Sequence, residues 1–273
     1  MCLFCAFYIT LIMHYTLITG ASQGMGLEMA KECARLGKNI LLISLANEQL
    51  SNLSKTISKE FKVKTDFLEI DLTENKSASE IYDWVVKNKY SVNFLINNAG
   101  IGGVGSFESY SFQYINKMLD LNVRATTNLT HFFIPELKKH TPSYLLNNAS
   151  MIANFPCPYK SIYAASKVYV KNFTSALRDE LSPYGISVSV LQPGATPTND
   201  IVIKQINEGG FLTRVSVTNV EKVAKKAIRS TLNGKAIIVP GWKNRISMKA
   251  LKILPPIILK KLILNSAKSM LKI

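Results

Sequence analysis

Cysteine and histidine are scarce in this chain, and their scarcity narrows its chemistry. The 273 residues include 4 cysteines and 3 histidines. No group of His, Cys, Asp or Glu residues has the sequence spacing of metal ligands, so we expect no metal site. The irregular cysteine intervals do not suggest a disulfide framework, which favours a reducing, intracellular environment.

Acidic residues are absent from the last part of the chain. Residues 222–273 carry 13 Lys and Arg and no Asp or Glu, whereas the preceding residues carry 20 basic and 18 acidic side chains. The net charge of +15 therefore lies mainly at one end of a nearly neutral body. This distribution favours contact between that end and an anionic surface. We expect no nucleic-acid binding, because the basic region lacks interleaved aromatic residues and any known binding motif.

No apolar run reaches the ~18 uninterrupted residues of a membrane-spanning helix. Residues 1–12 are apolar, but they lack the charged region and the cleavage site of a signal peptide. Two interpretations remain open: this extension is a short hydrophobic anchor, or Met13 is the true start. We favour the second, because the residues after Met13 would already open a compact domain on its first strand.

Apolar runs bounded by turn signals alternate with helical patterns along most of the chain. We predict strands at 15–20, 39–44, 63–72, 92–100, 144–150, 186–194 and 235–241. We predict helices at 26–36, 46–60, 76–88, 110–139 and 160–182, and one more that a capping box at 218–221 opens. Pro135 is expected to bend or break the 110–139 helix. The alternation predicts one α/β domain with a doubly wound parallel sheet and helices on both faces.

A glycine-rich turn, "TGASQGMG" at residues 19–26, joins the first predicted strand to the first helix. Gly20 permits a tight turn, Gly24 lets backbone amides approach a pyrophosphate, and Gly26 allows close packing of helix on strand. A glycine cluster alone is weak evidence. Its position between a strand and a helix favours a nucleotide site.

A tyrosine and a lysine lie four residues apart in "SIYAASK", residues 161–167. On a helix, Tyr163 and Lys167 would share one face. A free tyrosine has a pKa near ~10, and a nearby positive charge lowers it, which would suit proton transfer. The alternative is an amphipathic helix with one packed tyrosine and one solvated lysine, and the pair alone does not decide between them.

The spacing T-G-x-x-x-G-x-G resembles that of the short-chain dehydrogenase/reductase family, and several ordered motifs agree with it. They are Asp71–Leu72, Asn97 to Gly100, Asn122, Ser150 placed 13 residues before Tyr163, and Pro193–Gly194 with Thr198. The resemblance covers about residues 14–241. It implies a Rossmann-type catalytic domain at residues 13–241. A basic amphipathic segment follows this domain at 242–273.

The resemblance implies a role for each matched residue. Tyr163 would protonate a carbonyl oxygen as hydride arrives, and Lys167 would depress the pKa of Tyr163 and bind the nicotinamide ribose. Ser150 would hold the substrate oxygen, and Asn122 would support a water that relays protons to Lys167. The implied cofactor-binding residues are Gly20, Ser22, Gly24, Met25, Gly26, Ser44, Asp71, Leu72, Asn98, Ala99, Gly100, Tyr163, Lys167, Pro193, Gly194 and Thr198.

The implied activity is the interconversion of a carbonyl and a secondary alcohol with a nicotinamide cofactor. Ser44 and Leu45 stand where many NAD-dependent members of the family have an acidic residue and where NADP-dependent members often have an arginine. Ser44 and Asn47 could offer neutral hydrogen bonds, so NADP(H) is favoured and NAD(H) is the alternative. A non-catalytic dinucleotide-binding sensor or membrane-associated scaffold on the same fold is a different hypothesis. Such a protein would not need all four catalytic residues.

The substrate is expected to be hydrophobic. The segment after Gly194 falls where the family has a mobile lid, although a plain surface helix is an equal interpretation. Its apolar positions are Ile201, Val202, Ile203, Ile206 and Phe211, and those near the predicted site are Met151, Ile152, Phe155 and Pro156. A lipidic or steroid-like ketone, or a 3-oxoacyl thioester, fits such a pocket better than a sugar. Members of the family are often dimers or tetramers, which implies a homo-oligomer.

Residues 242–273 form a basic amphipathic segment that Pro255 and Pro256 divide into two pieces. In the second piece a polar helical face lies opposite an apolar one. The polar face is Lys261, Asn265, Lys268 and Lys272, and the apolar face is Leu259, Leu262, Ile263 and Met270. We predict a cytoplasmic protein whose C-terminal segment associates with the inner, anionic face of a membrane. Packing of this segment on its own domain or across a subunit interface is the alternative.

Overall fold

A computed structural model describes residues 13–46, 49–269 and 271 of the chain. The predictions for the 1–12 extension and for Asn47, Met270 and Lys272 lie outside the described residues. Within the described ranges, the strands are β1 (His14–Thr19), β2 (Asn39–Ser44), β3 (Thr65–Glu69), β4 (Ser91–Asn97), β5 (Ser143–Asn148), β6 (Ile186–Leu191) and β7 (Ile237–Ile238). They pair in the order β3-β2-β1-β4-β5-β6-β7, and all pairs are parallel.

Helices connect these strands and cover both faces of the sheet. Within the described ranges, they are α1 (Gly24–Arg35), α2 (Leu50–Phe61), α3 (Ser77–Lys87), α4 (Phe112–Leu119), α5 (Thr126–Lys139), α6 (Ser161–Leu181), α7 (Asp200–Glu208), α8 (Phe211–Val215), α9 (Val220–Leu232), α10 (Trp242–Ile253) and α11 (Pro256–Ser269). The predicted α/β architecture with a doubly wound parallel sheet is confirmed. None of these helices combines the length and the apolar character needed to cross a bilayer.

The core forms on both sides of the sheet because successive strand side chains point to opposite faces. One buried cluster contains Ile18 of β1 together with Met29 of α1 and Ile228 of α9. The other contains Leu17, the neighbour of Ile18, together with Phe133 of α5. The strands read as continuous apolar runs because both of their faces are covered.

The long helix predicted at 110–139 is interrupted, but not at the expected residue. A π-helical turn, Asp120–Ala125, separates α4 from α5. α5 continues through Pro135 to Lys139. The proline removes one backbone hydrogen bond without preventing those on either side of it. The predicted break therefore lies a few turns too late.

Several other predicted boundaries also differ from the structure, and two of them have a clear physical reason. β7 has two residues instead of seven, because it is an edge strand that only β6 pairs. The cap of α9 is Asn219, whose Oδ1 accepts from the Lys222 N–H at 3.1 Å, and not Thr218. Asparagine is the stronger N-cap, and the Thr218 hydroxyl is engaged by Asn244 Nδ2 at 3.0 Å.

A buried carboxylate ties α1 to α9 beneath the glycine-rich turn. Glu32 is 1% exposed. Arg229 Nε donates to its Oε1 at 2.8 Å, and Arg35 Nη1 donates to its Oε2 at 2.5 Å. Burial acts to raise the pKa of Glu32, but the hydrogen bonds and charges of the two arginines outweigh it and lower that pKa.

Arg229→Met is expected to reduce the free energy of unfolding by about 1–3 kcal/mol, because it leaves a buried carboxylate with one partner instead of two. The pKa of Glu32 is lower in the folded protein, so the stabilisation exists above the unfolded pKa and is lost as pH falls. The free energy of unfolding, measured with denaturant, should differ between wild type and Arg229→Met at pH 7, and this difference should become smaller towards pH 3. Lys225→Met, at an exposed position on α9, is the control. Equal losses in both variants would contradict a specific role for the ion pair.

Candidate active site

A cleft of about 1060 Å³ opens at the carboxyl ends of the strands. The strand order reverses between β1 and β4, where a parallel sheet leaves a crevice for ligands. The residues predicted to bind the cofactor all line this cleft: Gly20, Ser22, Gly24, Met25, Gly26, Ser44, Asp71, Leu72, Asn98, Ala99, Gly100, Tyr163, Lys167, Pro193, Gly194 and Thr198. Sequence positions up to 178 residues apart thus share one cavity.

The glycine-rich turn is packed too tightly for side chains at its key positions. Gly20 and Gly24 have φ values of 62° and 54°, in the left-handed region that favours glycine. A β-carbon on Gly26 would overlap the Gly20 carbonyl oxygen and lie 2.7 Å from Asn98 Nδ2. The N-cap residue of α1, Gln23, makes no side-chain capping hydrogen bond, which leaves first-turn amides for a ligand. This cradle fits a dinucleotide pyrophosphate at the positive end of a helix.

Gly26→Ala is expected to abolish NADPH binding at micromolar concentrations, because the methyl group would displace the Gly20 carbonyl and reshape the cradle. Gly37→Ala is the matched control, since Gly37 has φ 74° but open space around it. That variant should lose about 1 kcal/mol of stability from backbone strain and keep its affinity for the cofactor. Calorimetric titration with NADPH measures the cofactor affinity of both variants, and denaturant unfolding measures their stability. Retained binding in Gly26→Ala would contradict the role of the turn.

Three of the four predicted catalytic residues line the cleft, and the fourth lies just behind it. Ser150, Tyr163 and Lys167 are lining residues. Lys167 Nζ donates to the Asn148 carbonyl at 2.8 Å and lies 5.9 Å from the centre of the Tyr163 ring. Ser150 follows β5 and caps a short 3₁₀ turn, accepting from the Ile152 N–H at 3.3 Å. The helical spacing of Tyr163 and Lys167 on α6 therefore brings the phenol and the ammonium to one wall.

Asn122 holds the π-helical turn against the loop that follows β4. Its Oδ1 accepts from the Ile101 N–H and its Nδ2 donates to the Ile101 carbonyl, both at 2.9 Å. Nδ2 also donates to Ser166 Oγ at 3.0 Å, on α6 beside Lys167. Asn122 is 1% exposed and fully engaged by protein groups. A π turn is typical of a functional position inside a helix, and here it places Asn122 beside the site.

The ionisation of the tyrosine–lysine pair differs from the sequence-based expectation. Burial raises the pKa of Tyr163, and a hydrogen bond with Ser150 opposes that rise. Burial also lowers the pKa of Lys167 to about 8. Lys167 was expected to depress the pKa of Tyr163, but it lies over the ring and directs its proton to Asn148. The phenol therefore holds its proton at neutral pH, which suits a proton donor.

The end of β2 is uncharged where the ribose of a bound dinucleotide is expected. Ser22 Oγ and Ser44 Oγ lie 3.0 Å apart, so either hydroxyl can donate to the other. Leu45 lines the cleft and is 42% exposed. Among the described residues 44–46 at the end of this strand, no acidic side chain would repel a 2′-phosphate. Asn47, the other predicted hydrogen-bonding residue, lies outside the described residues.

An apolar wall of the cleft comes from the 3₁₀ turn after β5 and from the helices near the C-terminus. Of the predicted apolar positions, Met151, Ile152, Phe155, Val202 and Ile206 line the cleft. Two others do not: Ile203 is 41% exposed and Pro156 is solvent-exposed. The side chains of Ile201 and Phe211 lie outside the part of the chain that the structure describes. The segment after Gly194 is therefore not a plain surface helix, since one face of α7 covers the cavity.

The C-terminal segment contributes to the same wall. Ser247 and Leu251 of α10 and Ile263, Ser266 and Ala267 of α11 line the cleft. Pro255 and Pro256 divide the segment as predicted, between α10 and α11. The predicted helical faces are partly wrong, because Leu262 is exposed while Ile263 is buried. The inner face of this segment packs on its own domain, as the alternative interpretation predicts.

Two residues that shape the site were not predicted from the sequence: Asn148 at the end of β5 and Tyr114 of α4. The carbonyl of Asn148 holds Lys167, and Asn148 Nδ2 donates to Asn98 Oδ1 at 3.0 Å. Tyr114 Oη donates to the Gly102 carbonyl at 2.8 Å, which places that backbone against the Tyr163 ring. The repeated Asn-Asn at the ends of β4 and β5 was the available signal for Asn148. A tyrosine in a loop-proximal helix carries no comparable pattern.

Known proteins resemble this chain in sequence and in fold. A family model described as short chain dehydrogenase matches residues 14–208. 11-beta-hydroxysteroid dehydrogenase-like 3 of Arabidopsis thaliana is 32% identical over 230 residues, covering 83% of this chain and 73% of that protein. The very-long-chain 3-oxoacyl-CoA reductase of Bos taurus is 28% identical over 202 residues, covering 70% of this chain and 62% of that protein.

A solved structure shares both the architecture and part of the sequence. The short-chain dehydrogenase from Sphingobium yanoikuyae, solved in complex with NADPH, has a TM-score of 0.75 and 27% identity, covering 87% of this chain and 92% of that one. The family match spans more than half of the chain, and the glycine-rich turn and the tyrosine–lysine pair both line the cleft. The chain therefore belongs to the short-chain dehydrogenase family and is an oxidoreductase that acts on CH–OH groups with a nicotinamide dinucleotide.

Proposed function

We propose that the protein is an NADPH-dependent reductase of a hydrophobic ketone or a 3-oxoacyl compound. The observation that carries this proposal is the cleft itself, which brings Ser150, Tyr163 and Lys167 between a phosphate cradle and an apolar wall. The relatives named as a hydroxysteroid dehydrogenase-like protein and a 3-oxoacyl-CoA reductase support the same substrate range.

When bound, the reduced nicotinamide supplies hydride to the carbonyl carbon. Ser150 and Tyr163 orient the carbonyl oxygen by hydrogen bonds, and Tyr163 gives that oxygen its phenolic proton. Burial raises the pKa of Tyr163, so the phenol is protonated at neutral pH and can act as the proton donor in reduction. Lys167 is held at the Asn148 carbonyl on the same wall as the tyrosine, where its ammonium would bind the nicotinamide ribose. Asn122 keeps the π turn and α6 in register as a positioning residue.

Steady-state oxidation of NADPH tests the proposal directly. The panel contains 2-dodecanone, a 3-oxododecanoyl thioester and a 3-ketosteroid, with a ketose as the polar control. We expect kcat/KM for at least one hydrophobic carbonyl to exceed that for the ketose by about 100-fold, because Tyr163 lines a cleft that has an apolar wall. Cofactor binding without turnover of any carbonyl would instead favour a dinucleotide-binding sensor.

The preference for NADP(H) is part of this proposal. The hydroxyls of Ser22 in the glycine-rich turn and of Ser44 at the end of β2 lie together, and no carboxylate follows at Leu45. The solved relative that holds NADPH agrees with it. The apparent Michaelis constant should be lower for NADPH than for NADH. A tenfold advantage for NADH would contradict the preference.

We further propose that α10 and α11 dock on an anionic bilayer. Their outer face exposes Trp242, Ile246, Ile253, Ile257, Ile258 and Leu262. Exposed lysines flank this outer face, among them Lys260 and Lys261, and residues 222–273 contain no acidic side chain. Apolar side chains between lysines suit the interface of a membrane that carries anionic lipids. Because the inner face lines the cleft, docking would bring the cavity close to a lipid phase.

Sedimentation with vesicles tests the docking surface. Wild type should sediment with vesicles that contain phosphatidylserine and not with phosphatidylcholine alone. Ile257→Asp should lose most of this binding, because Ile257 is 84% exposed on the outer face. Val86→Asp is the matched control on α3, where Val86 is 54% exposed. Point variants are preferable to truncation at residue 241, which would remove a wall of the cleft. Equal sedimentation of both variants would contradict the proposal.

Assembly into a homodimer or homotetramer remains a prediction from the family. Light scattering of the purified chain measures the particle mass, and a monomer at micromolar concentration would contradict it.

A further inference from the structure

A partly buried cation of the cleft has no counter-ion among the described residues. Lys160 lines the cavity at the entry of α6, three residues before Tyr163. It is partly buried, and within the described part of the chain no carboxylate forms an ion pair with it. A partly buried ammonium without a partner is uncommon, since burial of an unpaired charge is unfavourable.

The groups around Lys160 do not neutralise it. Cys157 is the titratable neighbour, and burial raises the pKa of its thiol, so the thiol is uncharged at neutral pH. Among the described residues that line the cleft, Asp71 is the one acidic side chain. Asp71 follows β3 at the far edge of the sheet, and its Oδ1 accepts from the Thr73 N–H at 2.8 Å and from Thr73 Oγ1 at 2.7 Å.

The helix beneath Lys160 adds to the positive potential. Lys160 is the N-cap residue of α6, a 21-residue helix. Lysine is a poor N-cap, and a cation is unfavourable at the positive end of the helix dipole. Burial lowers the pKa of the Lys160 ammonium, as expected for a charge that its surroundings do not stabilise. Both features are unfavourable in the free protein and favourable once an anion lies between the ammonium and the helix N-terminus.

We propose that Lys160 binds an anionic head group of the substrate, a carboxylate or a phosphate, while the apolar wall holds its hydrocarbon part. Val202, Ile206 and Ile263 line the same cavity and contribute to that wall. This inference rests on the proposed reductase function and names its substrate class as amphiphilic anions that carry a carbonyl group. Lys160 is then a specificity-determining residue, distinct from the proton-transfer pair.

Calorimetric titration of the NADP⁺-saturated protein tests Lys160 without requiring turnover. The probes are decanoate, decyl phosphate and 1-decanol, which share a chain and differ in the head group. Wild type should bind at least one of the two anions about tenfold more tightly than Lys160→Met does, and 1-decanol should bind both proteins equally. Whichever anion shows the larger effect identifies the head group. Lys160→Arg should restore most of the difference, since it returns the charge.

Lys117→Met is the matched control, because Lys117 also lines the cleft but is exposed on α4. It should change anion affinity less than threefold. Equal affinity of both anions for wild type and Lys160→Met would overturn the inference, even if 2-dodecanone is reduced normally. Lys160-dependent anion binding without reduction of any carbonyl would sustain the anion site and contradict the proposed reductase instead.

Discussion

Tyr163→Phe should lower kcat for carbonyl reduction by about 10³-fold or more while the dissociation constant for NADPH changes less than threefold. The substitution removes the phenolic proton and leaves the ring, which packs against the backbone at Gly102. General acid catalysis contributes about 10²–10⁴-fold, and proton transfer to the oxygen must accompany hydride transfer. Stopped-flow measurement of NADPH oxidation under single-turnover conditions isolates the chemical step.

The pH profile separates this role from a structural one. Because burial raises the pKa of Tyr163, reduction should be insensitive to pH through the neutral range, where the phenol is protonated. Oxidation of the corresponding alcohol needs the phenolate, so its rate should rise with pH. Tyr169→Phe, on the exposed side of α6, is the matched control and should keep both rates. A Tyr163→Phe enzyme within tenfold of wild type would contradict the assignment of the proton donor.

Lys167→Met should lose about 10²-fold or more in kcat and, unlike most active-site substitutions, should not destabilise the free protein at neutral pH. Lys167 is 5% exposed, and burial lowers its pKa to about 8. The charged form is thus unfavourable in the folded protein relative to the unfolded chain. An uncharged side chain of similar length removes that penalty and forfeits one hydrogen bond to Asn148.

The difference between the folded and the unfolded pKa of Lys167 determines how the free energy of unfolding changes with pH. A lysine whose folded pKa is lowered binds fewer protons when folded, so the wild type gains stability as pH rises from about 8 towards the unfolded pKa near ~10.4. The free energy of unfolding of wild type should therefore increase by about 2 kcal/mol relative to Lys167→Met between pH 7 and pH 10. Urea unfolding at the two pH values measures this difference. A difference that does not change with pH would contradict the burial of a perturbed ammonium.

Local sequence patterns were sufficient to predict most of the architecture and the residues at the cofactor end of the cleft. β2 begins and ends at the predicted residues, because "NILLIS" is a continuous apolar run between turn signals. The glycine-rich turn was predictable because its chemistry depends on backbone conformation at fixed spacing. Tyr163 and Lys167 were predictable as neighbours since helical periodicity alone brings them together.

Features that depend on tertiary contacts were not predictable in the same way. The π turn at Asp120–Ala125 arises where Asn122 bonds to Ile101, a contact between distant segments. The pKa of Tyr163 was expected to fall because sequence shows the lysine but not the burial. The C-terminal helices were predicted as a basic amphipathic segment, with packing on their own domain as an alternative, since nothing in their composition reveals which side chains meet the cleft. Ile263 and Leu262 are adjacent and equally apolar, and only packing distinguishes them.

Transfer of deuterium from NADPH tests directly whether the protein reduces a carbonyl at this site. The enzyme is incubated with NADPH deuterated at C4 on either face and with the hydrophobic carbonyls of the panel, and the alcohol products are analysed by mass spectrometry. We expect an alcohol one mass unit heavier from one of the two deuterated cofactors, and no such product from Tyr163→Phe on the same time scale. Tight NADPH binding with no deuterium in any carbonyl-derived product would contradict a carbonyl reductase at this site.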